Sequence, residues 1–151
     1  MQKSLFIIGF TTDYCRVLLL RRYVHIQFDH ALKAAARQLD EERLADGTIY
    51  ILPTEGQEMF SAVFSSGLEL TGTFPTFSGG SGYTGTIDIL DYQTLNTIPA
   101  SDPLEAGVTF DYPTVHAVAR VPVSTLFFRY FGVEEINFQI HSDASNEDFI
   151  L

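Results

Sequence analysis

The side chains able to do chemistry in this chain are four histidines, one cysteine and nineteen carboxylates, and their spacing limits what they can do. His25 and His30 are the only imidazoles close in sequence. Five residues apart on a helix, they point about 140° away from each other, which is poor for sharing one metal. The HExxH pattern of zinc hydrolases is absent. His25, His30, His116 and His141 therefore read as ordinary surface or interface histidines, and no metal ligand is assigned. Cys15 is the only cysteine. It excludes an intrachain disulfide, lacks the company of a zinc site, and reads as a small packing residue.

Gly79-Gly80-Ser81-Gly82-Tyr83-Thr84-Gly85 has the composition of a phosphate-cradling loop. It lacks the lysine and the following helix that such a loop needs. The alternating Thr86-Ile87-Asp88-Ile89-Leu90 follows instead, so a hairpin loop is expected. Asp143 to Asp148 gathers oxygen ligands without the spacing, glycine or closing glutamate of an EF-hand loop, and reads as a solvated acidic tail. Glu134-Glu135 and Asp88/Asp91 are carboxylate pairs that nothing in the sequence ties to a cleft. GxSxG is absent. No catalytic residue and no cofactor are assigned, and a protein that is not an enzyme is expected.

The elements that would position these residues fall into two parts. The 151 residues fit one domain with an appendage, and an apolar content of 46% is enough for a core. Thirteen Phe and seven Tyr without Trp suit strands and subunit interfaces. Residues 1–47 carry seven basic and six acidic side chains, net +1; residues 48–151 carry two and thirteen, net −11. This asymmetry points to two physically different segments, a helix over 1–47 and an acidic β-rich domain over 48–151. The overall charge of −10 argues against a nucleic-acid partner. Leu5 to Phe10 is too short for a signal-peptide core, and Asp13, Arg16, Arg21 and Arg22 interrupt any membrane-length run.

Residues 4 to about 45 are predicted helical, closed by Gly47 in the left-handed region. The stripe Tyr14, Val17, Leu18, Val24, Phe28, Ala31, Leu32, Ala35 and Leu39 recurs at three- and four-residue spacing, with Arg21 as an interruption. Val17 to Phe28 is also rich enough in β-branched and aromatic residues to form a buried strand. Asp40 and Arg43 stand at pairing distance. Beyond Gly47, a strand over Thr48–Leu52 and a short helix over Thr54–Ser65 are expected. Further strands are expected at 68–74, 84–92, 108–112, 115–121, 123–130 and 135–141, with Pro113 and Pro122 at starts, edges or bulges. Phe149-Ile150-Leu151 could dock after a polar tail. The fold class is α+β: a long N-terminal amphipathic helix, then a mostly antiparallel β domain.

The segment from Asp13 to Ala36, with an apolar start, then Asp13 and Arg16, the basic Arg21-Arg22, and the Ala-rich run Ala31-Leu32-Lys33-Ala34-Ala35-Ala36, resembles the helix of tight-adherence-type pseudopilins and of pilin-like proteins of conjugation systems. The likeness covers roughly 30 of the 151 residues. It departs from many type IV pilins in having Leu5 where they carry Glu. The resemblance implies a pilin-like architecture and a subunit that assembles with copies of itself, with membrane contact during biogenesis. The implied interface is Leu5, Phe6, Ile7, Phe10, Asp13, Tyr14, Val17, Leu18, Arg21, Val24, Phe28, Leu32, Ala35 and Leu39. Asp13 would meet an arginine of a neighbour, since buried charge is tolerated when paired. The expected location is an extracellular filament or the cell surface. The alternative is a virion or adaptor component whose helix packs on its own sheet, and a third is a small-molecule-binding β domain.

Overall fold

A computed structural model describes residues 2–80, 82–83 and 85–146, with side chains from residue 6 onward. The expected docking of Phe149, Ile150 and Leu151 lies outside the described residues.

Helix α1 runs unbroken over Gln2–Ala36, about 52 Å at 1.5 Å per residue. The strand alternative for Val17 to Phe28 is thereby excluded. The helix stops earlier than the expected 45 because the chain finds tertiary partners. Leu39 bridges Ile51, while the Asp40 N–H donates to the Tyr50 carbonyl and the Leu52 N–H to that of Gln38. Asn96 brackets the same turn, accepting from the Ile51 N–H and donating to its carbonyl, both at 2.8 Å. Asp40 then caps a second helix, α2 at Glu41–Ala45, by accepting from Glu42 and Arg43 N–H groups. Asp40, which the sequence places inside the long helix, instead starts a new one. The Asp40–Arg43 pair forms at 3.4 Å, and Gly47 takes the left-handed conformation with φ 81°.

The expected strand at Thr48–Leu52 reduces to the single bridge at Ile51. Helix α3, Pro53–Leu68, has Pro53 in its first turn and Leu52 as N-cap with no side-chain cap. The helix thus starts one residue before the expected Thr54. Proline at the first turn removes an N–H that would have no helical partner anyway.

Among the described residues seven strands follow: β1 Leu70–Thr73, β2 Thr76–Gly79, β3 Thr86–Leu95, β4 Ala100–Ser101, β5 Thr109–Phe110, β6 Thr114–Ser124 and β7 Glu135–Ser145. Five form an antiparallel sheet in the order β1-β2-β3-β6-β7, and β4-β5 is a separate ribbon. β2 at Thr76–Gly79 lies between the strands expected at 68–74 and 84–92 and shares only Gly79 with the glycine-rich loop. β6 is one strand where two were expected, because it continues through Pro122. The ladder to β3 ends at Arg120, so Pro122 lies where β6 keeps a continuous ladder only with β7.

Helices α1 and α3 cover the inner face of the sheet. Phe28 packs edge-on against Phe60 and Phe64, both at 5.5 Å, and Phe64 against Phe77 at 5.7 Å. Val24, Ala31, Leu32, Ala35 and Ala36 join Ile87, Val115, Ala117, Ala119 and Val121 in one core. This core runs across residue 47. A hydrogen bond from Ser142 to Asp29 at 3.0 Å ties α1 to edge strand β7.

Candidate functional site

Two features combine chemistry with unusual surroundings. The first is the N-terminal half of α1. Its inward side is polar at one point: Asp13 is 1% exposed. Its carboxylate accepts three backbone N–H groups, Leu126 at 2.8 Å, Phe127 at 2.8 Å and Phe128 at 2.9 Å. These open the 3-10 turn Phe128–Phe131 in the β6–β7 connection. Burial pushes the Asp13 carboxyl up; the three N–H bonds and the nearby Arg16 more than reverse it, leaving it below the ordinary carboxylate value. Arg16 donates to the Ser124 carbonyl and hydroxyl at 2.5 and 3.0 Å. The two charges thus fasten the β6–β7 connection to the helix.

Aromatic contacts complete that attachment. Phe6 meets Phe127 and Phe131, and Phe10 meets Phe128, with ring centroids 5.4–5.8 Å apart. The Phe127 ring lies directly over Gly9, where a Cβ would stand 2.3 Å from it. Gly9→Ala is therefore expected to push the ring aside and cost roughly 1–3 kcal/mol. Thermal unfolding should recover part of that loss when Phe127→Leu is added. Full additivity of the two changes would show that they do not touch.

The outward side of the same half is apolar and uncovered. Ile7, Ile8, Phe10, Tyr14, Leu18, Leu19 and Tyr23 are exposed, Leu19 by 69%, and Tyr130, Phe131 and Val133 of the connection are exposed as well. Cys15 is also exposed, not packed as expected.

The interface expected from the sequence divides accordingly. Phe6, Ile7, Phe10, Tyr14 and Leu18 lie at the surface. The Leu5 side chain lies outside the described residues. Val24, Phe28, Leu32 and Ala35 are completely buried in the protein's own core, which corrects their assignment to a subunit contact. Val17 and Leu39 pack half-buried against that core. Asp13 finds its partners within its own chain, not in a neighbour. Arg21 lines a groove with Asp102 and Asp143, away from Asp13's backbone partners. A helical stripe in sequence does not say which side meets the home sheet.

The second feature is the outer face of the sheet. A bulge between Ile89 and Asp91 changes the parity of β3. Ile89 faces the core, and Asp91 faces out beside Val118 of β6. His116 and Val118 on β6 pair with Asp143 and His141 on β7, so all five residues share that face. The segment carrying β4 and β5 brings Asp102 beside them. His116 is 0% exposed, correcting its expected surface position. Its Nδ1 lies 2.6 Å from Asp143 Oδ1, and its Nε2 is 3.8 Å from Asp91 and has no hydrogen-bond partner. His141 Nε2 lies 3.3 Å from Asp143 Oδ2.

Burial pushes the His116 imidazole down; its bond to Asp143 and the charges of Asp143, Asp102 and Asp91 prevail, holding it above the ordinary histidine value. Burial likewise raises the Asp102 carboxyl, and the Glu105 and Leu104 N–H bonds with the His116 and His141 charges bring it below the usual range. A groove of about 700 Å³ runs from this cluster to Arg21, Arg22 and His25 of α1. Sequence reasoning passed over the cluster. The available signal was the alternation His141-x-Asp143 on a strand face. The bulge and the cover from Asp102 left no such mark.

Fold and site define the protein only by architecture: an α+β chain with a long N-terminal helix on a mostly antiparallel sheet. No protein-family profile, curated protein or solved structure matches it.

Proposed function

We propose that this protein is a non-catalytic structural subunit that assembles with copies of itself through the outward face of the N-terminal half of α1, in a pilus-like filament or surface appendage. The observation that carries this reading is the division of one continuous helix. Val24, Phe28, Ala31, Leu32, Ala35 and Ala36 are spent on the home core, whereas Ile7, Ile8, Tyr14, Leu18 and Leu19 are exposed. Contiguous apolar patches of this kind mark interaction sites, and each such side chain gains roughly 1.5–3 kcal/mol on full burial.

Among the described residues no helix is long and apolar enough to cross a membrane, and Arg16, Arg21 and Arg22 share the segment. Another copy suits this mixture, because residues 48–151, net −11, offer an acidic surface to the helix arginines. The same acidity disfavours nucleic acid as partner. A filament subunit placed outside the cell, with membrane contact during biogenesis, fits this plan.

Light scattering on size-separated protein tests the proposal. Wild type is expected to associate in the micromolar range, and Leu19→Glu or Ile8→Glu to weaken association at least tenfold without loss of helix. A wild type that stays monomeric at every accessible concentration would remove the filament reading. It would leave the soluble adaptor or virion component, whose helix packs on its own sheet through residues such as Val24, Phe28 and Leu32.

A further inference from the structure

We infer that Asp102, His116 and Asp143 form a binding site for a divalent transition-metal ion of the zinc class on the outer face of the sheet. One donor atom from each of these residues lies within 4.8 Å of the other two. Zinc bonds to imidazole nitrogen and carboxylate oxygen are roughly 2.0–2.2 Å long. Ligand atoms around a tetrahedral ion then stand roughly 3.4 Å apart, so the widest separation in the cluster needs to close by about 1.4 Å at most, while the 2.6 Å between His116 Nδ1 and Asp143 Oδ1 opens to admit the ion.

The His116 imidazole singles out this cluster. It is fully buried, its Nδ1 lies 2.6 Å from Asp143 Oδ1 on one side, and its Nε2 lies 3.8 Å from Asp91 on the other. A histidine that ligates a metal through one nitrogen characteristically gives its other nitrogen to a carboxylate, which fixes the ring. An ion shared with Asp143 and Asp102 would bind Nδ1 in place of its proton and leave the Nε2–H to Asp91.

The carboxylates are positioned too. Asp102 Oδ1 accepts the Leu104 and Glu105 N–H groups at 2.7 and 2.8 Å, which fixes the side chain and leaves Oδ2 outside those bonds. Asp143 Oδ2 faces His141 at 3.3 Å, so a second imidazole stands ready as a fourth donor. Two imidazoles with two carboxylates suit zinc-class ions, while calcium and magnesium prefer oxygen alone. Asp91 and Glu105 add negative charge around the site; His116 Nε2 is 3.8 Å from Asp91 and His141 Nε2 is 3.9 Å from Glu105. The expectation from sequence of no metal ligand is thus revised on geometry that spacing alone did not reveal.

Calorimetric titration of the full chain with zinc sulfate, after treatment with a chelator, tests the inference and does not depend on self-assembly. One site per chain is expected. Asp102→Asn, Asp143→Asn and His116→Gln should each weaken it at least tenfold, while His30→Gln, on exposed helix surface, leaves it unchanged. If circular dichroism shows that His116→Gln disturbs the fold, Asp102→Asn on the outer segment carries the decision. Absence of saturable zinc binding, binding indifferent to the three substitutions, or tighter binding of calcium than of zinc would each overturn the assignment.

Discussion

Phe28→Ala is expected to cost about 3–5 kcal/mol of folding stability, the range for deleting a fully buried aromatic side chain. Phe28 is completely enclosed and touches Phe60 and Phe64 edge-on. It also locks α1 to α3, so the cavity would open between two helices that share no other ring-on-ring contact with α1 among the described residues. Domain stabilities are typically 5–15 kcal/mol, so the loss would leave little in reserve. By the same reasoning the fragment 48–151 should not hold its β structure. Without Val24, Phe28, Ala31, Leu32, Ala35 and Ala36, the part of the inner face that α1 covers, over β6 and β7, is open to water. Urea unfolding of the Phe28 variant and far-UV circular dichroism of the fragment check the two statements. A cooperatively folded fragment would show that the helix is an appendage after all.

The fold was legible where sequence periodicity coincided with burial. The α1 pattern, the short helix after Pro53 and the strand-rich remainder follow from apolar spacing and turn residues. The misreadings share a physical origin in long-range partners. Residues 37–40 favour helix locally, yet bonds to residues 50–52 and the cap at Asp40 draw them out of it. Pro122 signalled a break between strands, but the end of the β3 ladder at Arg120 made a continuous strand possible. Similarly, Asp13 read as a charge in need of a neighbour's arginine. Its real partners are amides more than a hundred residues away, and main-chain N–H groups leave no trace in composition. At the His116 cluster the deciding element is a one-residue bulge, which exchanges the faces of β3 without changing its pattern.

Asp13→Ala is expected to cost about 3 kcal/mol, since it strands buried N–H donors that had a charged acceptor. In a chain of this length that corresponds to a fall in Tm on the order of 10 °C. Asp13→Asn keeps the shape but offers one acceptor oxygen and no charge, so it should recover only part of the loss. The pH dependence separates charge from shape. The folded-state carboxyl is held below its ordinary value, so the ionised form is the one that stabilises the fold. Its contribution is fully present above the unfolded value of about 3.9, and it is lost as pH falls through the lower folded value. Wild type and Asp13→Asn should therefore differ by a constant amount from pH 7 down to about 5 and converge at more acid pH. Thermal melts of both proteins across that range measure the difference directly. A gap that stays constant into strong acid would mean that the charge contributes nothing and only the packing of the β6–β7 connection matters. Convergence would place the anchor of that connection, and with it the setting of Phe127 over Gly9, on a single ionised carboxylate.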